Sequence, residues 1–66
     1  MSIAKTIEVT ASSEKGFDDA IRLGVAKAAE SLENITGAWV MDQSVKVDEG
    51  KVAEYSVRMK LTFVLK

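Results

Sequence analysis

The sequence contains no cysteine, no histidine and no proline. Without cysteine no disulfide can form, and without cysteine and histidine the usual structural zinc sites are excluded. The same absences remove the thiolate nucleophile, the imidazole base and the Ser-His-Asp triad. We therefore expect a protein that is not an enzyme, and we assign no catalytic residue.

The shortness of the chain is the second restriction. With 66 residues, it is predicted to form one domain over residues 1–66. A chain of about 60 residues buries only about 60% of the surface that its unfolded form exposes. Disulfides, a metal or partner subunits usually supply the missing stability in proteins of this size. Because the first two are disfavoured here, the composition predicts a homo-oligomer.

Charge and hydropathy exclude two classes of partner. Nine basic and ten acidic residues give a net charge of −1 and are interspersed, whereas nucleic-acid binding requires a basic patch. No apolar run approaches the roughly 20 residues that span a bilayer. The first residues also lack the long apolar stretch of a secretion signal. We expect a soluble, cytoplasmic protein that binds neither nucleic acid nor membrane.

Two changes of hydrophobic period define the first half of the chain. Residues 3–11 alternate between apolar and polar side chains, which predicts a strand. Residues 14–33 repeat at three- and four-residue steps, which predicts an amphipathic helix with Ser13 as its N-cap. The apolar stripe of this helix comprises Phe17, Ala20, Ile21, Gly24, Val25, Ala28 and Leu32. Gly24 would weaken an exposed helix by about 1 kcal/mol relative to alanine, so we expect close packing at that position.

The second half of the chain predicts a β-hairpin. Two strands, residues 38–47 and 52–66, flank a loop over 48–51, where Gly50 supplies a positive φ. In the last strand Tyr55, Val57, Met59, Leu61, Phe63 and Leu65 alternate with polar residues. The predicted fold class is α+β, in the order β-α-β-β, with one helix packed on one face of a three-stranded antiparallel sheet.

This loop position implies a strand register. It pairs Val47 with Val52, Gln43 with Ser56, Met41 with Arg58 and Trp39 with Lys60. The face away from the helix would then carry Gly37, Trp39, Met41, Gln43, Val45 and Val47. Soluble monomers tend to avoid such an exposed apolar patch, so we expect another subunit or a ligand to cover it.

Five side chains on this predicted face are candidates for ligand binding. Trp39 could stack on a planar ligand or anchor a subunit contact. Gln43 and Ser56 offer hydrogen bonds, although a polar cross-strand pair at an interface is the simpler interpretation. Arg58, with Lys60, could hold a phosphate or pair with carboxylates such as Glu54.

Two pairs of carboxylates resemble weak calcium ligands in isolation. Asp18 and Asp19 lie in the first turn of the predicted helix, where acidic residues are expected. Asp48 and Glu49 lie in the predicted turn, where Asp is common. We assign no metal ligand.

The whole chain resembles the dodecin family. The resemblance lies in Ala11-Ser12-Ser13-Glu14, Phe17-Asp18-Asp19-Ala20-Ile21, Ser31-Leu32-Glu33-Asn34-Ile35 and the closing run from Glu54 to Phe63. It implies a β-α-β-β protomer that assembles into a hollow homododecamer. It also implies paired flavins (riboflavin, FMN or FAD) at subunit interfaces, held for storage or sequestration, and coenzyme A in some members.

The resemblance also assigns positions to the flavin contacts. Flavin-binding dodecins stack the isoalloxazine on a tryptophan at the start of strand 2, and a glutamine about nineteen positions later hydrogen-bonds to it. These positions are occupied here by Gly37 and Ser56. Trp39 lies about 7 Å further along the same strand. It either replaces the stacking residue or fills the space of the flavin.

Two hypotheses follow from the sequence. In the first, a dodecamer binds flavin through Trp39, Gly37, Ser56, Gln43 and Arg58. In the second, a dodecamer of the same fold has lost flavin and is a structural, calcium-binding or coenzyme-A-binding container.

Overall fold

The structure is a computed structural model that describes residues 3–65, and its elements follow the predicted order. They are β1 (Ile3–Ser13), α1 (Phe17–Ala29), β2 (Ile35–Asp48) and β3 (Lys51–Leu65). The predicted α+β class, with three antiparallel strands and one helix on one face of the sheet, is confirmed. Lys66, included in the predicted last strand, lies outside the described residues.

The sheet has the order β1-β3-β2, so β3 is the central strand. β2 and β3 are joined by a turn at Glu49 and Gly50, whose φ angles are 50° and 79°. Positive φ at both central residues is the signature of the two-residue type I′ hairpin turn. The positive φ at Gly50 is confirmed, but the loop is tighter than the predicted residues 48–51.

The helix begins three residues later than predicted. Ser13 is the buried last residue of β1 and does not cap α1, whose N-cap is Gly16. The Ser13 hydroxyl accepts a hydrogen bond from the Lys15 backbone N–H at 2.9 Å and donates one to Asp19 Oδ2 at 2.6 Å. Ser13 therefore holds the turn between β1 and α1 rather than the helix end, and its prediction as N-cap is wrong.

The helix also ends earlier than predicted, at Ala29 rather than residue 33. The chain then turns at Asn34, which has a φ of 63°, and enters β2 at Ile35. Asparagine tolerates this left-handed conformation better than most residues. Within residues 3–65, no helix is long and apolar enough to cross a membrane.

The core lies between α1 and the central strand. Among residues 3–65 the buried hydrophobic side chains are Ala20, Val57, Met59, Leu61 and Phe63. Partly buried residues pack around them, namely Ile7, Val9, Ala11, Phe17, Ile21, Val25 and Ala28. The alternation predicted for β3 is confirmed in its central part, whereas Leu65 at its end is exposed.

Gly24 is the point of closest approach between the helix and the sheet. A Cβ atom at this position would lie 2.5 Å from Met59 Cε and 2.9 Å from Ala11 Cβ. Carbon atoms that are not bonded attract best at about 3.5–4.0 Å. The close packing expected from the sequence is therefore confirmed, and it explains a glycine in the middle of α1.

The β2–β3 register contains irregularities that regular alternation does not predict. The pairs Val47–Val52 and Trp39–Lys60 are as predicted. Between Val40 and Asp42, however, β2 advances two residues while β3 advances one, which makes Met41 the extra residue of a bulge. The predicted pair of Met41 with Arg58 is therefore wrong.

The bulge exchanges the two faces of β2 beyond Met41. Gln43 lies opposite Val57. Ser44, rather than Gln43, lies opposite Ser56. Because paired residues share a face and Val57 is buried under α1, Gln43 lies on the helix side. Val45, opposite Tyr55, lies there too. The predictions that Gln43 pairs with Ser56, and that Gln43 and Val45 lie away from the helix, are wrong.

The chain exposes more surface than a compact protein of its mass. Its accessible surface is 4910 Å², whereas a folded monomer of 7.2 kDa is expected to expose about 4100 Å². Its radius of gyration is 13.6 Å, against about 11 Å for a compact domain of this length. Every residue of β2 after Ile35 is exposed. These dimensions fit a protomer that is covered by other copies.

Gly24→Ala is expected to destabilise the fold. Overpacking a core costs about 1–3 kcal/mol, and the better helix propensity of alanine recovers at most about 1 kcal/mol. Urea unfolding at fixed protein concentration should therefore show a lower midpoint. Gly37→Ala is the matched control, because a Cβ there would meet no atom within 4 Å. A stabilised Gly24→Ala protein would contradict the close packing.

Candidate ligand-binding site

The face of the sheet away from α1, called here the outer face, is organised in rows across the three strands. Residues of β1, β3 and β2 that pair directly share each row. The rows are Thr6–Thr62–Gly37, Glu8–Lys60–Trp39, Thr10–Arg58–Asp42 and Ser12–Ser56–Ser44. Apart from Trp39 and Gly37, every side chain in these rows is polar or charged.

Trp39 is the dominant aromatic group of the outer face. It is the single tryptophan of the sequence and is 70% exposed. Its position on this face, opposite Lys60, is as predicted. A tryptophan presents a large apolar surface with a polar N–H at its edge, which suits the stacking of a planar molecule.

Gly37 leaves open space beside this tryptophan. It lies two residues before Trp39 on the same strand, about 7 Å away. A Cβ at Gly37 would meet no atom within 4 Å. The sheet therefore has room next to the indole for a flat ligand lying over the backbone.

Arg58 forms an ion pair in the row adjacent to that of Trp39. Its Nη2 donates a hydrogen bond to Asp42 Oδ2, and both side chains are about half exposed. The pairing with a carboxylate is one of the two predicted interpretations, although the partner is Asp42 rather than Glu54. It exists because the bulge at Met41 turns Asp42 toward the outer face. Asp42 was not identified from the sequence, since regular alternation places it on the helix side.

Ser56 belongs to a row of three serines. Its hydroxyl lies 3.0 Å from the Ser12 hydroxyl on β1, and Ser44 of β2 lies opposite on the other side. Ser56 was predicted as a site residue, but Ser12 and Ser44 were not. The sequence predicts no register between β1 and β3, and the bulge at Met41 brings Ser44 to the position predicted for Gln43.

The structure brings four of the five predicted site residues to the outer face. Gly37, Trp39, Ser56 and Arg58 lie there within four successive rows. Gln43 does not join them, because it lies on the helix side opposite Val57.

Acidic side chains do not converge within the described protomer. Among residues 3–65, no three acidic residues lie close enough together to hold a metal ion. Asp19 is engaged by the Ser13 hydroxyl, so its role in the turn after β1 is structural. Asp48 ends β2 and Glu49 forms the hairpin turn.

Comparison with known proteins identifies the family. The dodecin family model matches residues 3–66. The calcium dodecin of Mycobacterium tuberculosis is 26% identical over 66 residues, which cover 100% of this chain and 93% of the relative.

Solved dodecin structures superpose over nearly the whole chain. The dodecin from Streptomyces davaonensis matches with a TM-score of 0.94 at 28% identity, covering 98% of this chain and 96% of that one. A point mutant of T. thermophilus dodecin matches with a TM-score of 0.95 at 27% identity, covering 100% and 98%. The calcium dodecin structure from M. tuberculosis gives a TM-score of 0.85 at 27% identity, covering 98% and 93%. This chain, as its sequence indicates, belongs to the dodecin family.

Proposed function

We propose that this protein is a flavin-binding dodecin that stores or sequesters riboflavin, FMN or FAD in a homododecamer. Dodecins are oligomeric, small binding proteins rather than enzymes in general, and flavins are frequent ligands among them. The large exposed surface of the protomer supports the assembly. A cytoplasmic location stays a prediction from the sequence.

The observation that carries the flavin proposal is the open space over Gly37 beside the exposed indole of Trp39. The family resemblance assigns the stacking tryptophan of flavin-binding members to the position of Gly37. Here the aromatic group stands one pleat further along the same face. The isoalloxazine would stack on Trp39 and extend over the glycine.

The polar rows assign roles to the other predicted residues. Ser56 would donate or accept a hydrogen bond at the edge of the isoalloxazine. The Ser12 hydroxyl, 3.0 Å from the Ser56 hydroxyl, would be its second hydrogen-bond partner. Arg58 would face the polar chain or phosphate of the ligand while Asp42 holds its guanidinium in place. Gln43, on the helix side of its own protomer, would contribute only to a site on a neighbouring copy.

Trp39→Ala is expected to abolish the quenching of flavin fluorescence. Stacking on the indole quenches the excited flavin, whereas Trp39→Phe keeps an aromatic face and should retain part of the binding. The measurement is a titration of the purified oligomer into riboflavin and FMN, followed by flavin emission. Unchanged emission with the wild-type protein at micromolar concentration would contradict the proposal. Native mass separates loss of the ligand from loss of the oligomer.

The double variant Gly37→Trp, Ser56→Gln is expected to bind flavin more tightly. It reinstates the aromatic ring and the carboxamide that the family resemblance assigns to these positions, and Gly37 has room for a side chain. An added aromatic contact contributes about 0.5–1.5 kcal/mol, which corresponds to roughly a 2- to 10-fold lower Kd. Weaker binding in the same titration would show that Trp39 already occupies the volume of the flavin.

Calcium is the second candidate ligand, and the calcium dodecin relatives support it. Acidic side chains do not converge within residues 3–65 of one protomer. The site would therefore need carboxylates of neighbouring copies, such as the exposed Asp18, Asp48 at the end of β2 and Glu49 in the hairpin turn. Isothermal titration with CaCl₂ tests this candidate. We expect any calcium heat to disappear in Asp48→Asn, Glu49→Gln and to persist in Trp39→Ala. If the protein instead binds coenzyme A or is a purely structural container, neither the flavin titration nor the calcium titration should show binding.

A further inference from the structure

The charged side chains of the outer face are arranged as cross-strand pairs of opposite sign. Among residues 3–65, the charged pairs that lie directly opposite in the register on this face are Glu8–Lys60, Arg58–Asp42 and Glu54–Lys46. The last pair shares the face of Ser44 and Ser56, because alternate residues of a strand lie on the same face. The three negative and three positive charges sum to zero. The outer face therefore carries charged groups without a net charge.

Two of these pairs border the indole of Trp39. The Glu8–Lys60 pair lies in the same row as the indole, and the Arg58–Asp42 pair lies in the adjacent row. In the second pair the guanidinium donates a hydrogen bond to the carboxylate, and both side chains are about half exposed. A ligand that stacks on the indole therefore meets a carboxylate beside each of these two cations.

We propose that the outer face selects an uncharged flavin, riboflavin, over the phosphorylated flavins FMN and FAD, and that Asp42 sets this preference. The inference rests on the flavin proposal above and names the ligand class of that site. Asp42 acts by neutralising Arg58, the cation that a flavin phosphate would otherwise reach.

The hydrogen-bonding chemistry of the Arg58–Asp42 pair suits a polyhydroxyl chain. A guanidinium only donates hydrogen bonds and an ionised carboxylate only accepts them, whereas a hydroxyl does both. The ribityl chain of riboflavin carries hydroxyl groups, which can accept from Arg58 and donate to Asp42. The uncharged chain therefore satisfies both members of the pair.

A phosphate group matches the same pair poorly. A phosphate monoester carries about −1.5 to −2 charges at pH 7 and presents acceptor oxygens. Its attraction to Arg58 is opposed by its repulsion from Asp42. A helix N-terminus is the other common anion site, but α1, the helix of residues 3–65, packs on the opposite face of the sheet.

The bulge at Met41 creates this charge balance. In a regular strand Met41 would lie opposite Arg58, and the guanidinium would have a thioether rather than a carboxylate as its cross-strand neighbour. The extra residue brings Asp42 to that position instead. One irregularity of the backbone therefore converts a cation next to the stacking group into a neutral pair.

The test compares riboflavin with FMN in titrations of the purified oligomer, followed by flavin emission. We expect the wild-type protein to bind riboflavin with the lower Kd. Asp42→Asn keeps an acceptor oxygen for the ribityl hydroxyls but loses the negative charge. The ratio of the FMN Kd to the riboflavin Kd should therefore fall roughly 3- to 10-fold. Arg58→Gln removes the cation and should raise this ratio.

Two matched variants control for effects of charge and folding. Asp42→Glu keeps the carboxylate and should keep a ratio close to that of the wild type. Glu30→Gln removes one negative charge at an exposed position at the end of α1, outside the sheet, and should leave the ratio unchanged. A purely structural role of Asp42 would change both affinities by the same factor. A constant ratio in Asp42→Asn would therefore overturn the role of Asp42.

Salt dependence provides a second readout. Exposed charges are screened over about 10 Å at 0.1 M salt and about 3 Å at 1 M. In Asp42→Asn, FMN affinity should therefore fall as NaCl is raised from about 0.1 M to about 1 M, whereas FMN affinity of the wild-type protein should change less. An equal response of the two proteins would contradict the neutralisation of Arg58.

The wild-type titrations separate this inference from the flavin proposal. Binding of FMN that is as tight as that of riboflavin, or tighter, would overturn the preference and leave the flavin proposal standing. A wild-type protein that quenches neither flavin would contradict the flavin proposal, and the preference would be rejected with it.

Discussion

One short helix has to cover a sheet that is much longer than itself, and the rest of the structure depends on this mismatch. The 13 residues of α1 span about 20 Å, whereas the 15 residues of β3 span about 50 Å. The helix lies close to the sheet because Gly24 lets it approach Met59 and Ala11. It buries the centre of β3 and part of β1, and β2 is left without cover. One protomer therefore forms a packed core between α1 and β3 but leaves β2 exposed.

The bulge at Met41 determines which chemistry the uncovered strand presents. Without the bulge, regular alternation would place Met41 and Gln43 on the outer face together with Trp39. With it, Asp42 and Ser44 take those places. Bulges commonly redirect side chains in this way next to binding sites. The outer face becomes a polar surface with one aromatic ring, and apolar residues of β2 move to the helix side.

The parts of the fold that local chemistry determines could be predicted, and those that depend on register could not. The alternation of β3 and the stripe of α1 predicted the elements and most of the core, since each period follows from side chains a few residues apart. The positions of Gln43 and Ser44 depend on one extra residue whose effect accumulates along the strand. Ser13 has the chemistry of an N-cap, but its hydroxyl is engaged by the turn before Gly16. Trp39 was placed correctly because it precedes the bulge in β2. Arg58 was placed correctly because it lies on β3, the strand opposite the bulge.

The two faces of the sheet present different chemistry. The indole of Trp39 and the open space over Gly37 lie on the outer face, whereas Leu23 and Val45 lie on the helix side. Because alternate side chains of a strand point to opposite faces of the sheet, a substitution at Trp39 changes the outer face and not the helix side. The two positions at which this chain departs from the flavin-binding pattern, Gly37 and Ser56, both lie on the outer face, so these departures leave the core between α1 and β3 unchanged.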